Sequence, residues 1–163
     1  MTGTMDKQAA HIKGGHLHRA VSVFIFNSNG ELLLQQRAAG KYHSAGKWSN
    51  TACSHPAPGE QTNDAAYRCL GNEMGMTAVL DFVFCFTYQV QLENGITEHE
   101  FDHAFFGICD DIPELNPEEV SDFRYISMKE LANDLNKNPG NYSKWLGICF
   151  DLVLDYHRQI IFL

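Results

Sequence analysis

The run from Val79 to Cys109 constrains this chain most. It reads Val79–Leu92 (VLDFVFCFTYQVQL), then Glu93-Asn94-Gly95, then Ile96–Cys109. Aromatic and β-branched residues alternate along the first half and a Gly-containing turn follows, which predicts a long strand folded back on its hairpin partner. Such a pair buries its apolar face only if other elements cover it. Ala20–Asn27 and Glu31–Arg37, separated by Asn27-Ser28-Asn29-Gly30, predict a second hairpin. Shorter strands are expected at Trp48–Cys53 and Asp122–Ile126. A helix is expected over about Thr62–Met74 with Gly75 as its stop. Ser127-Met128-Lys129-Glu130 matches a capping box and opens a helix to about Asn136, which Pro139-Gly140 ends. The last helix runs from about Tyr142 to Gln159, with Trp145, Ile148, Leu152 and Tyr156 on its apolar face. Hairpins with helices between them predict an α+β fold, an α/β/α sandwich on a mixed sheet.

Length and composition bound the rest. The 163 residues make one domain, 1–163, with no repeat, low-complexity tract or linker. A formal net charge of −8 argues against nucleic-acid binding, which calls for a basic face. A small anionic substrate remains open, because local charge decides that. No apolar run approaches the roughly 18 residues needed to span a bilayer, and the start lacks the pattern of a secretory signal. Five scattered cysteines fit reduced thiols, and the expected location is the cytoplasm. Eight histidines are many for this length and hint at metal or proton chemistry.

Residues two apart in a strand face one side. His16 and His18, Cys53 and His55, and Glu98 and Glu100 form three such pairs. Imidazoles and carboxylates gathered on one face suit a divalent metal. A solvated strand face is the simpler reading of any one pair, and Glu98, Glu100 and Asp102 together also look like an ordinary exposed face. Glu73, near the end of its helix, stands against the helix dipole, and a cation beside it would offset that.

Ser54, Glu60, Arg68, Glu73 and Gly75 keep the spacing of the Nudix box, G-x5-E-x7-R-E-U-x-E-E-x-G-U. Ser54, Cys69 and Asn72 replace a Gly and two Glu of that pattern, which weakens a reading as a diphosphate hydrolase. The run Trp48-Ser49-Asn50-Thr51-Ala52-Cys53-Ser54-His55-Pro56 resembles the W-x-N-x-x-C-x-H-P signature of type I isopentenyl diphosphate isomerases, a family with a Nudix fold and a degenerate box. Met5–His11, Leu17-His18, Gln36-Arg37-Ala38 with Lys41, and Glu98-His99-Glu100 resemble further segments of that family in the same order. Tyr88 and Trp145 fall where it places an active-site Tyr and Trp.

The resemblance implies isomerisation of isopentenyl diphosphate to dimethylallyl diphosphate through a carbocation-like intermediate, as a step of isoprenoid biosynthesis. Cys53 and Glu100 would be the proton-transfer pair, Tyr88 would support them, and Trp145 would face the cation. His11, His18, His55, Glu98 and Glu100 would hold one divalent ion (Mn²⁺, Mg²⁺ or Zn²⁺), and Glu73 would hold a Mg²⁺ on the substrate diphosphate. Lys7, Arg37, Lys41 and Arg68 would neutralise that diphosphate. Arg68 could equally be a structural salt-bridge residue. His16, His43, His99, His103, His157, Cys69, Cys85, Cys109 and Cys149 have no matched role and are expected to be structural or exposed. A Nudix hydrolase of another diphosphate and a metal-binding domain without activity are the competing readings.

Overall fold

A computed structural model describes residues 3–12 and 14–161, apart from the side chains of 7, 8, 160 and 161. Its sheet contains β1 (His18–Phe26), β2 (Leu32–Arg37), β3 (Trp48–Ser49), β4 (Ala52–Ser54), β5 (Asp81–Gln91), β6 (Thr97–Ile108) and β7 (Val120–Ile126). The helices are α1 (Lys7–Ala10), α2 (Thr62–Met74), α3 (Met128–Lys137) and α4 (Lys144–Ile161). The strand order is β3-β2-β1-β6-β5, with β4 also on β1 and β7 also on β2. The sheet is mixed, since β1 and β6 run parallel and the other pairs antiparallel.

Both faces of the sheet are covered, which is why β1 reads as a nearly unbroken apolar run. Val21, Val23 and Ile25 pack with Ala66, Leu70 and Met74 of α2. Phe24 and Phe26 pack with Leu131 of α3 and Leu146 and Val153 of α4. The result is the expected α/β/α sandwich. The hairpin over β5 and β6 forms with a short 3-10 turn at Glu93–Gly95. Helix α2 ends at Met74, and Gly75 takes up a left-handed conformation with φ of 62°. Glu130 and Ser127 form the capping box of α3 reciprocally.

Two expectations change. The hairpin of β1 with β2 is paired only at Phe26↔Leu32. Beyond that point Thr51 enters between the strands. Its hydroxyl accepts from the Ile25 N–H at 2.9 Å and donates to the Leu33 carbonyl at 2.6 Å. The side chain thus replaces missing ladder bonds and also splits the expected strand Trp48–Cys53 into β3 and β4. The other change concerns α4. Trp145 is buried and Tyr156 packs against the core, but Ile148 and Leu152 are exposed. Leu146, Cys149 and Val153 carry the buried stripe instead, since they continue the i, i+3, i+4 spacing from Tyr142.

Thr51→Val keeps the volume and strands the Ile25 N–H and the Leu33 carbonyl in the interior. At about 1–3 kcal/mol per orphaned group, the variant is expected to lose about 2–6 kcal/mol in urea unfolding. A loss below about 1 kcal/mol would show that the hydroxyl is not what holds the two strands.

Candidate active site

Strand register builds the centre of the site. His18 of β1 lies opposite Glu100 of β6, and Tyr88 of β5 lies opposite Glu100 on its other side. On β1, Ser22 pairs with Cys53 of β4. The turn after β4 supplies His55, and the segment after α1 supplies His11. That segment is fixed by the Thr97 N–H, which donates to the His11 carbonyl at 2.8 Å. At Gly15 the same segment runs so close to β6 that a Cβ would stand 2.8 Å from the Thr97 carbonyl oxygen.

Glu98, Glu100 and Asp102 do share one face, but that face is buried rather than solvated. Glu100 Oε1 accepts from His55 Nε2 at 2.8 Å and lies 3.5 Å from His18 Nε2. Its Oε2 accepts from the Tyr88 hydroxyl at 2.7 Å. Burial alone would raise the Glu100 pKa, but the bonds from His18 and His55 outweigh it and hold the carboxyl below its ordinary range. Glu98 is pushed up, first by burial and then by the charge of Glu100. The Tyr88 hydroxyl is held well above its usual value by burial and by both carboxylates.

His11, His18, His55 and Glu100 each bring one donor atom to a common point, all within 4.8 Å of one another. His18 Nδ1 donates to the His16 carbonyl at 2.7 Å, which directs its other nitrogen toward Glu100. Three imidazoles and a carboxylate are a suitable donor set for a divalent ion. Glu98, expected as a fifth member, is not among the four. It accepts from the Tyr88 hydroxyl at 3.1 Å and stands 3.6 Å from His43 Nε2.

His55, Glu98 and Glu100 also line a cavity of about 290 Å³. Its wall includes Cys53, Tyr88, Glu98, Glu100 and Trp145. Burial and the charge of Glu73 push the Cys53 thiol far up, so it keeps its proton at neutral pH. The Trp145 indole N–H donates to Asn50 Oδ1 at 3.0 Å, which fixes the ring against the cavity. Arg37 stands 5.2 Å from the centre of that ring. Lys41, Arg68 and Glu73 also reach the cavity. Glu73 accepts from Gln35 Nε2 at 2.7 Å, and burial raises its pKa to about 7.

Several expected residues have partners of their own. Lys41 is ion-paired with Glu119. Arg68 donates through Nε and Nη2 to Glu60 at 2.8 Å and through Nη2 to the His55 carbonyl at 3.1 Å. The box arginine thus holds the helix to the loop, and the Glu60 carboxyl drops to about 2 beside it. The side chain of Lys7 lies outside the described residues.

Sequence reasoning missed four contributors. His43 was expected to be structural or exposed, yet it lines the cavity beside Glu98 and Trp145. Its place two residues after Lys41 was the available signal. Asp102 continues the alternation of Glu98 and Glu100, but its partner Ser22, which donates to it at 2.7 Å, is 80 residues away. No local pattern marks Gln35 or Glu119. Cys85, expected to be structural or exposed, is exposed on β5, which ends the strand order.

Residues 16–146 match the NUDIX domain, so the chain belongs to the Nudix superfamily. Solved structures agree on the fold. The chain resembles the MutT protein from Methanosarcina mazei Go1 with a TM-score of 0.68 and 20% identity, over 83% of this chain and 91% of that one. It resembles the Nudix hydrolase RenU from M. smegmatis with a TM-score of 0.65 and 16% identity, over 93% and 94%. Sequence relatives narrow the assignment. The chain is 52% identical to the isopentenyl-diphosphate Delta-isomerase of Pectobacterium atrosepticum, over 95% of this chain and 86% of that protein. It is 51% identical to isopentenyl-diphosphate Delta-isomerase 2 of Aromatoleum aromaticum, over 94% and 80%. It is a member of the isopentenyl-diphosphate Delta-isomerase family.

Asp102 supplies a pH prediction. Burial, with the charge of Glu100 second, raises its pKa from 3.8 to about 7, and Glu73 rises from 4.5 to about 7. A raised carboxyl stabilises the fold fully below its unfolded pKa, and that stability is lost as pH rises through the folded value. Metal-free protein is therefore expected to lose stability between about pH 4 and 7. Asp102→Asn is expected to flatten that loss by up to about 4 kcal/mol, at about 1.4 kcal/mol per pKa unit. Denaturant midpoints that fall equally in both proteins over this range would contradict it.

Proposed function

We propose that this chain isomerises isopentenyl diphosphate to dimethylallyl diphosphate, with Cys53 and Glu100 as the proton-transfer pair. The observation that carries the reading is the meeting of Cys53, Tyr88, Glu98, Glu100 and Trp145 in one cavity. Isomerisation adds a proton to the terminal alkene carbon and removes one from the carbon on the far side of the branch. The positive charge in between rests on the tertiary carbon. An alkene is a weak base, so both partners must be held in place.

Cys53 and Glu100 exchange the two protons with the substrate, one giving and the other receiving. Tyr88 donates to Glu100 and fixes which way its oxygens point. Trp145 is anchored by Asn50, and its indole face would stabilise a developing cation by about 2 kcal/mol when water is excluded. The buried site also keeps water from trapping the cation as an alcohol. Arg37 and Lys41 would hold the diphosphate.

His11, His18, His55 and Glu100, with Glu98 alongside, are the residues that would hold a divalent ion. Such an ion supplies positive charge that orients Glu100 and tunes its proton affinity. Glu73 would hold a Mg²⁺ shared with the diphosphate, as a hard oxygen ligand suits. The absence of a second box carboxylate at Cys69 and Asn72 speaks against hydrolysis.

In deuterated water with Mg²⁺, isopentenyl diphosphate is expected to yield deuterated dimethylallyl diphosphate by mass spectrometry. Released phosphate without isomer would move the assignment to a hydrolase. Cys53→Ala and Glu100→Val are each expected to lower kcat at least about a thousandfold, the scale of one acid–base partner. An active Cys53→Ala variant would remove Cys53 from the proton path. Metal analysis of purified protein is expected to find a bound divalent ion, and His18→Ala is expected to weaken its retention about tenfold or more.

A further inference from the structure

We propose that Glu119 makes the cavity, where it stands beside Lys41 and Glu73, selective for diphosphate that arrives with a divalent cation. The proposal rests on the substrate class assigned above, and it concerns a carboxylate that lies outside the Nudix box.

Glu119 stands just before β7 and is fixed by its backbone. Its carbonyl accepts from the Ala38 N–H at 2.9 Å, and its N–H donates to the Asn116 carbonyl at 3.0 Å. The Asn116 N–H in turn donates to the Glu73 carbonyl at 3.1 Å. These bonds tie together the three segments that carry Lys41, Glu119 and Glu73. All three side chains reach the same cavity, and Lys41 is ion-paired with Glu119 there.

The charge balance gives Glu119 its role. Arg68 is taken up by Glu60. Lys41 is then the cation beside Glu119 and Glu73, and Arg37 lines the same cavity nearer Trp145. A bare diphosphate entering this space meets two carboxylates as well as two cations. Lys41 has three donors and can hold Glu119 and a phosphate oxygen together, but a carboxylate has nothing to donate to a phosphate. With a divalent cation on the phosphates, the same carboxylates become ligands. Cys69 and Asn72 also stand at this wall and carry no charge to share that task. Glu119 therefore supplies a second negative charge near Glu73, and the sign of its effect depends on whether the diphosphate is cation-loaded.

Calorimetric titration of the full chain with inorganic pyrophosphate, with and without Mg²⁺, tests this. For the wild-type chain Mg²⁺ is expected to tighten pyrophosphate binding about tenfold or more. Glu119→Gln is expected to bind Mg²⁺-free pyrophosphate about tenfold tighter than wild type, and its gain from Mg²⁺ is expected to shrink below about threefold. Glu119→Asp keeps the charge and is expected to keep the wild-type pattern. The same Mg²⁺ gain in Glu119→Gln as in wild type overturns the proposal. So does unchanged affinity of that variant for Mg²⁺-free pyrophosphate. The isomerase assay is read separately. A chain with no isomerase activity but a Glu119-dependent Mg²⁺ gain refutes the function and keeps this inference.

Discussion

A carboxylate inside a sheet stays ionised only where donors surround it, and Glu100 is that carboxylate here. His55 and His18 approach one oxygen, and Tyr88 binds the other. Losing any of them would leave buried charge without compensation, which costs several kcal/mol. The parallel pairing of β1 with β6 places His18, and the antiparallel pairing of β5 with β6 places Tyr88. A slip of one residue in either pairing would turn the partners to opposite faces. The register of the central strands and the chemistry of the site are therefore one constraint.

The cavity gathers two kinds of group. Cys53, Glu100, Tyr88 and Trp145 offer one proton, one acceptor and an aromatic face. Lys41, Arg37, Glu73 and Glu119 offer charges of both signs. The overall acidity of the chain, −8, says little about the second kind, since a few placed cations decide what binds. Polar loop residues brace the site: Asn50 anchors Trp145, and Thr51 joins β1 to β2 through its hydroxyl.

Much of the fold was legible from local patterns. Gly75 stopped α2 because a left-handed residue ends a helix at little cost when it is Gly, and Ser127 opened α3 through a reciprocal cap. The β-branched and aromatic run Ala20–Asn27 announced a strand. Within the site, the Cys53-x-His55 and Glu98-x-Glu100 spacings were visible because strand geometry repeats every two residues. Burial was not visible. An exposed acidic face and an interior one have the same period, and only the layers on either side distinguish them. The stripe of α4 was misplaced for a similar reason: Ile148 and Leu152 are apolar, yet the core lies along the neighbouring stripe.

The sequence by itself determined the elements, their caps and the kinds of side chain available for proton transfer and for binding a cation. It also carried the family resemblance, which rests on spacings within single segments. The tertiary structure alone decided which groups meet. Ser22 reached Asp102 across 80 residues, Lys41 was taken by Glu119, and Glu98 met Tyr88 and His43. Hydrogen bonds and ion pairs act over a few ångströms in space, and distance along the chain places no limit on them.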